Sequence, residues 1–215
     1  MDVSTRNGID SFLKIRNVSA LAMSIMLFLL LLPGVAFATY AYDYGRTSDL
    51  SYADDCVGYA NSCWSTLGHN YSSYLGSNYT RSRVLTNLQY GDAFYADTHG
   101  SSSGFLDNGS GFISFSDVST NRYGNWYKLV FVDACDTGDN NSGASSFGIT
   151  DSDGQSHTYV GWSGYSYDNI TYAGFTMRFF DKVKTHNSIA YSLWYAGYAS
   201  GIYNYRSYGN TNWSY

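Results

Sequence analysis

Two short apolar segments, each stopping at a reactive side chain, constrain the fold of this chain more than any other feature. The first is residues 92–100, DAFYADTHG, which stops at His99. The second is residues 128–138, KLVFVDACDTG, which stops at Cys135. Apolar runs of this length with aromatic and β-branched residues are typical of buried strands in a parallel sheet. The 27 residues between Gly100 and Lys128 are long enough for the crossover that parallel neighbours require.

The carboxyl ends of adjacent parallel strands meet at one edge of a sheet, where open α/β sheets bind their ligands. We therefore expect His99 and Cys135 to lie side by side at that edge. A thiol next to an imidazole is the pairing that nucleophilic catalysis needs. Taken alone, Cys135 would be interpreted as a buried structural thiol, but the upstream His99-Gly100 pair favours a nucleophile. The other three histidines lack such a context and are predicted to lie on the surface.

Composition indicates one globular domain with few long helices. The chain has 215 residues, of which 44% are hydrophobic, enough for an ordinary core. All 17 acidic residues are Asp, and the chain holds 22 Gly and 23 Tyr, so long amphipathic helices are disfavoured. The formal net charge of −5 and the lack of a basic stripe argue against nucleic acid as a partner.

The first 38 residues have the features of a targeting segment. A basic leader precedes the apolar run 18–32, and Ala36-Phe-Ala38 matches a small-x-small cleavage signal. Cleavage after Ala38 would divide the chain into a signal peptide, 1–38, and a domain, 39–215. The alternative is an uncleaved membrane anchor over residues 18–38. Either way, we expect the domain to be extracellular or on the cell surface.

N-glycosylation sequons are compatible with that compartment, although an Asn- and Ser-rich chain contains several by chance. They begin at Asn70, Asn78, Asn108, Asn140, Asn169 and Asn212.

The three cysteines are an odd number for a protein outside the cell, which suggests one free thiol. Cys56 and Cys63 are the local pair, leaving Cys135 free. In a continuous helix, residues seven apart are separated by about 10 Å along the axis, too far for a disulfide. A break at Gly58 would allow the bridge, so both alternatives remain open.

Hydrophobic periodicity and turn residues predict the remaining elements. The polar stretch 136–157 is predicted to be a long loop, and the Tyr-rich tail 197–215 has no clear period. The other predictions are a strand at 39–44, a broken helix at 48–67, a helix at 78–88, a small hairpin near 112–115, a strand at 159–162, and helices at 171–183 and 186–195.

With His99-Gly100 and Ala134-Cys135 each ending a strand, the chain resembles the caspase-like cysteine peptidases, which include gingipains, clostripain, legumain, metacaspases and CHAT-domain proteins. In that group the catalytic His precedes Gly, and the catalytic Cys ends the next strand, often after Ala. Residues 133–138, DACDTG, are similar to the Ala-Cys-Glu-Thr-Gly of CHAT members. The resemblance covers about residues 45 to 200. It implies a caspase-like three-layer α/β/α sandwich with a mostly parallel central sheet.

The resemblance also implies a cysteine endopeptidase that acts on protein or peptide substrates. Cys135 would attack the scissile carbonyl, His99 would move the proton, and the backbone N–H groups of Gly100 and Cys135 would form the oxyanion hole. In metacaspases an Asp in a segment like Leu-x-Gly-Cys-x-Asn-Asp-Ala helps to hold the residue before the cut. Residues 50–56, LSYADDC, stand in a comparable place, so Asp54 or Asp55 could line a pocket for Arg or Lys.

Three further interpretations stay open from the sequence. Trp162 could border the substrate cleft or could be a core aromatic. Asp136, Asp139 and residues 151–154, DSDG, could bind calcium, but a solvated turn fits their spacing better, so no cofactor is required. The alternative function is a catalytically silent extracellular module that binds peptides or glycans on the same fold.

Overall fold

A six-stranded sheet, mostly parallel, forms the centre of the domain in the computed structural model, which describes residues 39–122, 124, 127–150 and 156–215. The predicted signal peptide, 1–38, lies outside the described residues. The strand order is β2-β1-β3-β7-β8-β9, and only β9 runs antiparallel to its neighbour. The six strands are β1 (Tyr40–Gly45), β2 (Asn70–Leu75), β3 (Ala93–Asp97), β7 (Leu129–Asp133), β8 (Thr158–Trp162) and β9 (Tyr205–Gly209).

Helices cover both faces of this sheet, as parallel strands require. One apolar core lies between the sheet and α1, α5 and α6, and the second lies between the sheet and α2, α3 and α4. The predicted three-layer α/β/α sandwich is therefore confirmed. The helices are α1 (Ala53–Thr66), α2 (Arg81–Asn87), α3 (Phe115–Asn121), α4 (Ser142–Ser146), α5 (Ile170–Val183) and α6 (Ile189–Ser200).

The segment between the two key strands is built differently from a simple helical crossover. It contains a small antiparallel sheet of β4 (Gly100–Ser101), β5 (Gly104–Leu106) and β6 (Phe112–Ser114), followed by α3. Of the hairpin predicted near residues 112–115, only the strand β6 lies in that range, and its partner β5 lies upstream. Ser114 begins α3 with a capping box, in which its hydroxyl accepts from the backbone N–H of Asp117.

The predicted break at Gly58 does not occur, because α1 is continuous from Ala53 to Thr66. Both Cys56 and Cys63 are buried and free. They lie seven residues apart along one unbroken helix, too far apart for a bridge. The disulfide alternative is therefore wrong, and each thiol instead fills space in the core between α1 and the sheet.

Two edge strands were not predicted. β2 and β9 form the two edges of the sheet, and most of their residues are at least partly exposed. Edge strands of this kind lack the continuous apolar run that identifies β3 and β7. The last helix, α6, also extends further than predicted and ends at Gly201, whose φ of 70° gives a left-handed C-cap. Across the described parts of the chain, no helix combines the length and hydrophobicity needed to span a bilayer.

A buried carboxyl lies in the middle of β1. Asp43 has no solvent exposure, and its Oδ1 accepts a hydrogen bond of 2.9 Å from the indole N–H of Trp64. Burial raises the pKa of Asp43 to about 8. His69 stacks against Trp64, and its side chain is only 6% exposed, so its predicted surface position is wrong. Burial lowers the pKa of His69 to about 4.

The raised pKa of Asp43 predicts a pH-dependent cost to stability. Between the unfolded-state value of 3.8 and the folded-state value of about 8, unfolding releases a proton that the folded protein retains. Stability attributable to Asp43 is therefore full below about pH 4 and lost progressively as the pH rises to about 8. Asp43→Asn keeps the acceptor for Trp64 and cannot ionise. We expect it to be more stable than the parent at pH 8, by on the order of a few kcal/mol.

Chemical denaturation of both proteins at pH 5 and pH 8 measures this difference. Asp54→Asn, a substitution of an exposed aspartate on α1, is the matched control. A gain that is equal at both pH values would contradict the assignment of the effect to ionisation of Asp43.

Candidate active site

The register between β3 and β7 brings the two reactive side chains to the same edge of the sheet. Asp97, the last residue of β3, pairs with Asp133, the last residue of β7. His99 and Cys135 each follow two residues later, and both line one cleft. The predicted juxtaposition of a thiol and an imidazole is therefore present. No hydrogen bond joins the two side chains in the described structure, although both line the same cleft.

The turn that carries Cys135 is clamped to the loop after β8. The backbone N–H of Asp136 donates to the carbonyl of Gly164 at 2.8 Å, and Gly138 N–H donates to the carbonyl of Trp162 at 2.7 Å. Asp136 has a φ of 60°, an uncommon conformation for a residue other than Gly. The clamp holds this conformation and fixes the direction in which the Cys135 side chain leaves the strand.

Three polar groups of Ser166 contact the Cys135 sulfur. Its backbone N–H donates to Sγ at 3.3 Å, its carbonyl accepts from the thiol at 3.3 Å, and its hydroxyl lies 3.6 Å away. The loop bearing Ser166 is held by Asn204, whose side-chain amide donates to the carbonyls of Ser163 and Tyr165. The sulfur is partly exposed and held in a defined position facing the cleft.

His99 is oriented by a carboxylate from a third segment. Its Nε2 lies 3.2 Å from Oδ2 of Asp49, which leaves Nδ1 free of that contact. Asp49 in turn accepts hydrogen bonds from the guanidinium of Arg46 at 2.6 Å and 3.1 Å. The hydrogen bond from Arg46 lowers the pKa of Asp49, so the carboxylate stays ionised beside the imidazole. Arg46 is itself nearly buried and donates to the carbonyls of Asp107 and Gly109.

Gly100 approaches the Cys135 turn too closely to carry a side chain. A Cβ at this position would lie 2.7 Å from Cβ of Ala134 and 3.2 Å from the carbonyl oxygen of Cys135. In the β4–β5 hairpin, Leu106 N–H donates to the carbonyl of His99, so the next pair, Gly100 with Phe105, is non-hydrogen-bonded. The N–H of Gly100 therefore points away from β5.

The floor of the cleft is acidic. Asp133 is buried and accepts from Trp162 at 2.5 Å, from Thr176 at 2.6 Å and from Tyr95 at 3.2 Å. These three donors stabilise its ionised form and oppose the burial that raises its pKa. Its strand partner Asp97 is partly open to the cleft, and burial together with the charge of Asp133 raises the pKa of Asp97 well above its usual range.

A third carboxylate, Asp168, lines the same cleft. Its Oδ2 accepts from the backbone N–H of Ser51 at 2.7 Å, which connects the loop before α5 to the start of α1. Tyr52 and Tyr172 form apolar walls of the cleft. The cleft therefore combines an acidic floor with aromatic walls, a suitable pocket for a long cationic side chain.

The structure places the predicted specificity residues elsewhere. Asp54 and Asp55 are exposed on α1 and line a separate depression with Asp181 and Lys184. They do not line the cleft that holds His99 and Cys135, because they lie beyond Tyr52 on the outer side of α1. Trp162 is fully buried, so it is a core aromatic and does not border the cleft.

The predicted calcium alternative has no support from the described residues. Within them, no group of three or more His, Cys, Asp or Glu side chains could hold a metal ion. Asp139 uses its Oδ1 to accept from the N–H of Gly164 at 2.9 Å. Residues 151–154 lie outside the described part of the chain.

Comparisons with known proteins extend only to the fold. No protein-family model and no curated protein matches the chain. Among solved structures, the Drosophila initiator caspase Dronc is similar with a TM-score of 0.48 and 10% sequence identity, over 82% of this chain and 80% of that one. A similarity of this extent carries no information about activity.

The sequence predicted the two reactive residues but not the side chains that surround them. The signal that could have identified Asp97 and Asp133 is their equivalent position, two residues before His99 and Cys135 at the ends of the two predicted strands. Asp49 and Ser166 had no comparable signal, because each comes from a loop whose path depends on tertiary contacts.

The differing environments of the three thiols predict selective alkylation. Cys56 and Cys63 are 1% and 0% exposed, and burial raises the pKa of both thiols. Cys135 faces the cleft and is partly exposed. We expect iodoacetamide to modify the folded protein once, at Cys135, and to modify all three residues after unfolding in urea.

Peptide mapping by mass spectrometry locates the modification. Cys135→Ser is the control and should remain unmodified while folded. Labelling of Cys56 or Cys63 in the folded parent, at a rate similar to that of Cys135, would contradict the burial of these two thiols.

Proposed function

We propose that the protein is a cysteine endopeptidase that uses Cys135 as its nucleophile and His99 as its acid–base partner. The observation that carries this proposal is the cleft that both side chains line, at the ends of paired parallel strands. The turn at Cys135 and the hydrogen bonds of His99 hold both groups in place before substrate binds. Such preorganisation is what nucleophilic catalysis requires.

The reaction would follow thiol chemistry. The Cys135 sulfur attacks the scissile carbonyl carbon, and the thiol proton passes to His99. The carbonyl oxygen becomes an oxyanion between the N–H groups of Gly100 and Cys135. The C–N bond then breaks, His99 gives its proton to the leaving amine, and water hydrolyses the thioester. Asp49 acts as a positioning residue by holding the imidazole ring through Nε2.

The acidic floor supports a preference for Arg or Lys immediately before the cut. Asp97, Asp133 and Asp168 all line the cleft beside the two reactive groups. An incoming cation would meet a pair of carboxyl groups, Asp97 and Asp133, that is already enclosed by protein, where electrostatic attraction is strong. This pocket replaces the one predicted from Asp54 and Asp55. The N-terminal segment supports a secreted or surface location for this activity.

A peptide library tests the proposed activity. We expect the parent protein, under reducing conditions, to cleave peptides mainly after Arg or Lys. Cys135→Ala and His99→Ala should each reduce cleavage by at least 100-fold, the lower end of the loss expected when an acid–base group is removed. Mass spectrometry of the products gives the cut sites. Calcium should not be required.

Two outcomes would contradict the proposal. Equal cleavage by the parent and Cys135→Ala would indicate a contaminating peptidase. A folded parent that alkylates at Cys135 but cleaves no peptide would favour the alternative, a silent module that binds peptides or glycans on the same fold.

The Asp97–Asp133 pair predicts pH-dependent recognition of basic side chains. In the empty cleft Asp97 tends to hold a proton, because burial and Asp133 raise its pKa. A bound cation favours the ionised form, so binding releases the proton and strengthens as the pH rises. Asp97→Asn cannot ionise. We expect its kcat/KM for an Arg peptide to fall about tenfold, a loss of about 1.4 kcal/mol, and to lose this pH dependence.

A peptide with citrulline in place of Arg has nearly the same shape without the charge. Because Cys135 and His99 act on both peptides, the ratio of kcat/KM for the two peptides isolates the effect of the charge on the side chain. Asp54→Asn is the matched control and should leave the ratio unchanged. If the ratio of kcat/KM for the Arg peptide to that for the citrulline peptide falls in Asp54→Asn but not in Asp97→Asn, the specificity pocket lies on α1 as first predicted.

A further inference from the structure

Four aromatic side chains form a continuous row along α6. Tyr191, Trp194, Tyr195 and Tyr198 recur at helical spacing, so they share one face. Tyr191, Trp194 and Tyr198 are 43%, 54% and 68% exposed. Trp194 stacks on Tyr198 with ring centroids 5.6 Å apart, and Tyr191 contacts both Trp194 and Tyr195. We refer to these four residues as the aromatic row.

Cations from the neighbouring helix lie beside this row. The Lys182 ammonium on α5 lies 4.2 Å from the ring centroid of Tyr195. Arg178, one turn earlier on α5, donates to the hydroxyl of Ser200 at the end of α6. Aromatic rings and cations therefore belong to one contiguous surface of α5 and α6. No acidic side chain occurs on α6.

Charge is distributed unevenly along the domain. Residues 39–168 contain five basic residues and fourteen Asp, a net charge of −9. Residues 169–215, which include α5, α6 and β9, contain four basic residues and one Asp, a net charge of +3. That single carboxylate, Asp181, pairs with Lys184 at 2.5 Å. The aromatic row therefore belongs to the one segment of the domain that has a net positive charge.

We propose that the aromatic row and its flanking cations dock the domain on an anionic lipid bilayer. Tyr and Trp have an apolar ring and a polar group, and they favour the interface between headgroups and acyl chains. Lys182 and Arg178 lie beside the row and can extend to anionic headgroups. The row contains no exposed Leu, Ile or Phe, which fits shallow insertion at the headgroup level.

Docking through α6 differs from the membrane anchor considered for the N-terminal segment, because docking fixes the direction in which the cleft is presented. An anchor holds the chain near a bilayer without orienting it. Docking through α6 fixes one face against lipid, independently of whether residues 1–38 are present or of whether the domain has peptidase activity. The proposal therefore stands apart from the proposed function.

Oxidative footprinting of the full chain tests this docking residue by residue. The chain is bound to phosphatidylcholine vesicles with or without phosphatidylglycerol at 30% of the lipid, and hydroxyl radicals oxidise exposed Tyr and Trp. We expect oxidation of Trp194 and Tyr198 to fall at least threefold on the anionic vesicles only. Tyr90 is the matched reference, because it has the same 68% exposure as Tyr198 and lies on the acidic part of the domain.

Substitutions identify the groups responsible. Lys182→Gln should abolish most of the protection, and 0.5 M salt should do the same because it screens headgroup charge. Arg83→Gln is the matched control, since the Arg83 guanidinium also lies over an aromatic ring, 4.8 Å from the centroid of Tyr74. It should leave the protection unchanged.

Several outcomes would overturn the proposal. Equal protection on neutral vesicles would remove the role of the cations. Unchanged oxidation of Trp194 on anionic vesicles that retain the chain would show that α6 stays in solution. Protection that develops without lipid as the protein concentration rises would identify a second copy of the chain as the occupant. Protection by soluble polyaspartate to the same extent would indicate an acidic protein partner.

Discussion

The parallel pairing of β3 with β7 is the constraint on which the candidate site depends. Its register sets Asp97 opposite Asp133. Both strands end at these residues, so His99 and Cys135, each two residues further on, lie at the same edge of the sheet. A shift of one residue in either strand would turn the acidic pair toward the opposite face of the sheet. The buried aromatic residues of both strands hold this register, since a shift would also move Phe131 and Tyr95 from the core on one face of the sheet into the core on the other.

The face of the sheet that bears the cleft also bears the buried carboxyls. Asp43, Asp97 and Asp133 all point toward the layer formed by α1, α5 and α6. Each accepts a hydrogen bond from a donor on a helix or a neighbouring strand. Asp133 is the best satisfied, with three donors, and Asp43 has one from Trp64. A core can retain a carboxyl only with such donors or with a proton. The acidic floor of the cleft uses both solutions.

Sequence reasoning succeeded where a pattern was local and strong. The buried strands ending at His99 and Cys135, the helix beginning near residue 170 and the strand ending at Trp162 were all predictable from apolar runs. The acidic pocket was not predictable in this way. The resemblance to metacaspases indicated Asp54 and Asp55, but both lie on the outer side of α1. The positions of Asp49 and Ser166 depend on contacts with distant segments, which periodicity does not report. The disulfide alternative for Cys56 and Cys63 is wrong because α1 continues through Gly58 without a break.

The strand order has a kinetic consequence. Every pairing in the central sheet joins residues between 29 and 52 positions apart in the chain. The entropy of closing such long loops is lost before the contacts form, so domains of this kind fold on the slow side of the range for their size. Segments that meet at the cleft come from before α1, after β3, after β7 and before α5. Cys135 therefore acquires these surroundings only after distant segments have assembled, and a nascent or partly folded chain carries it as an ordinary thiol.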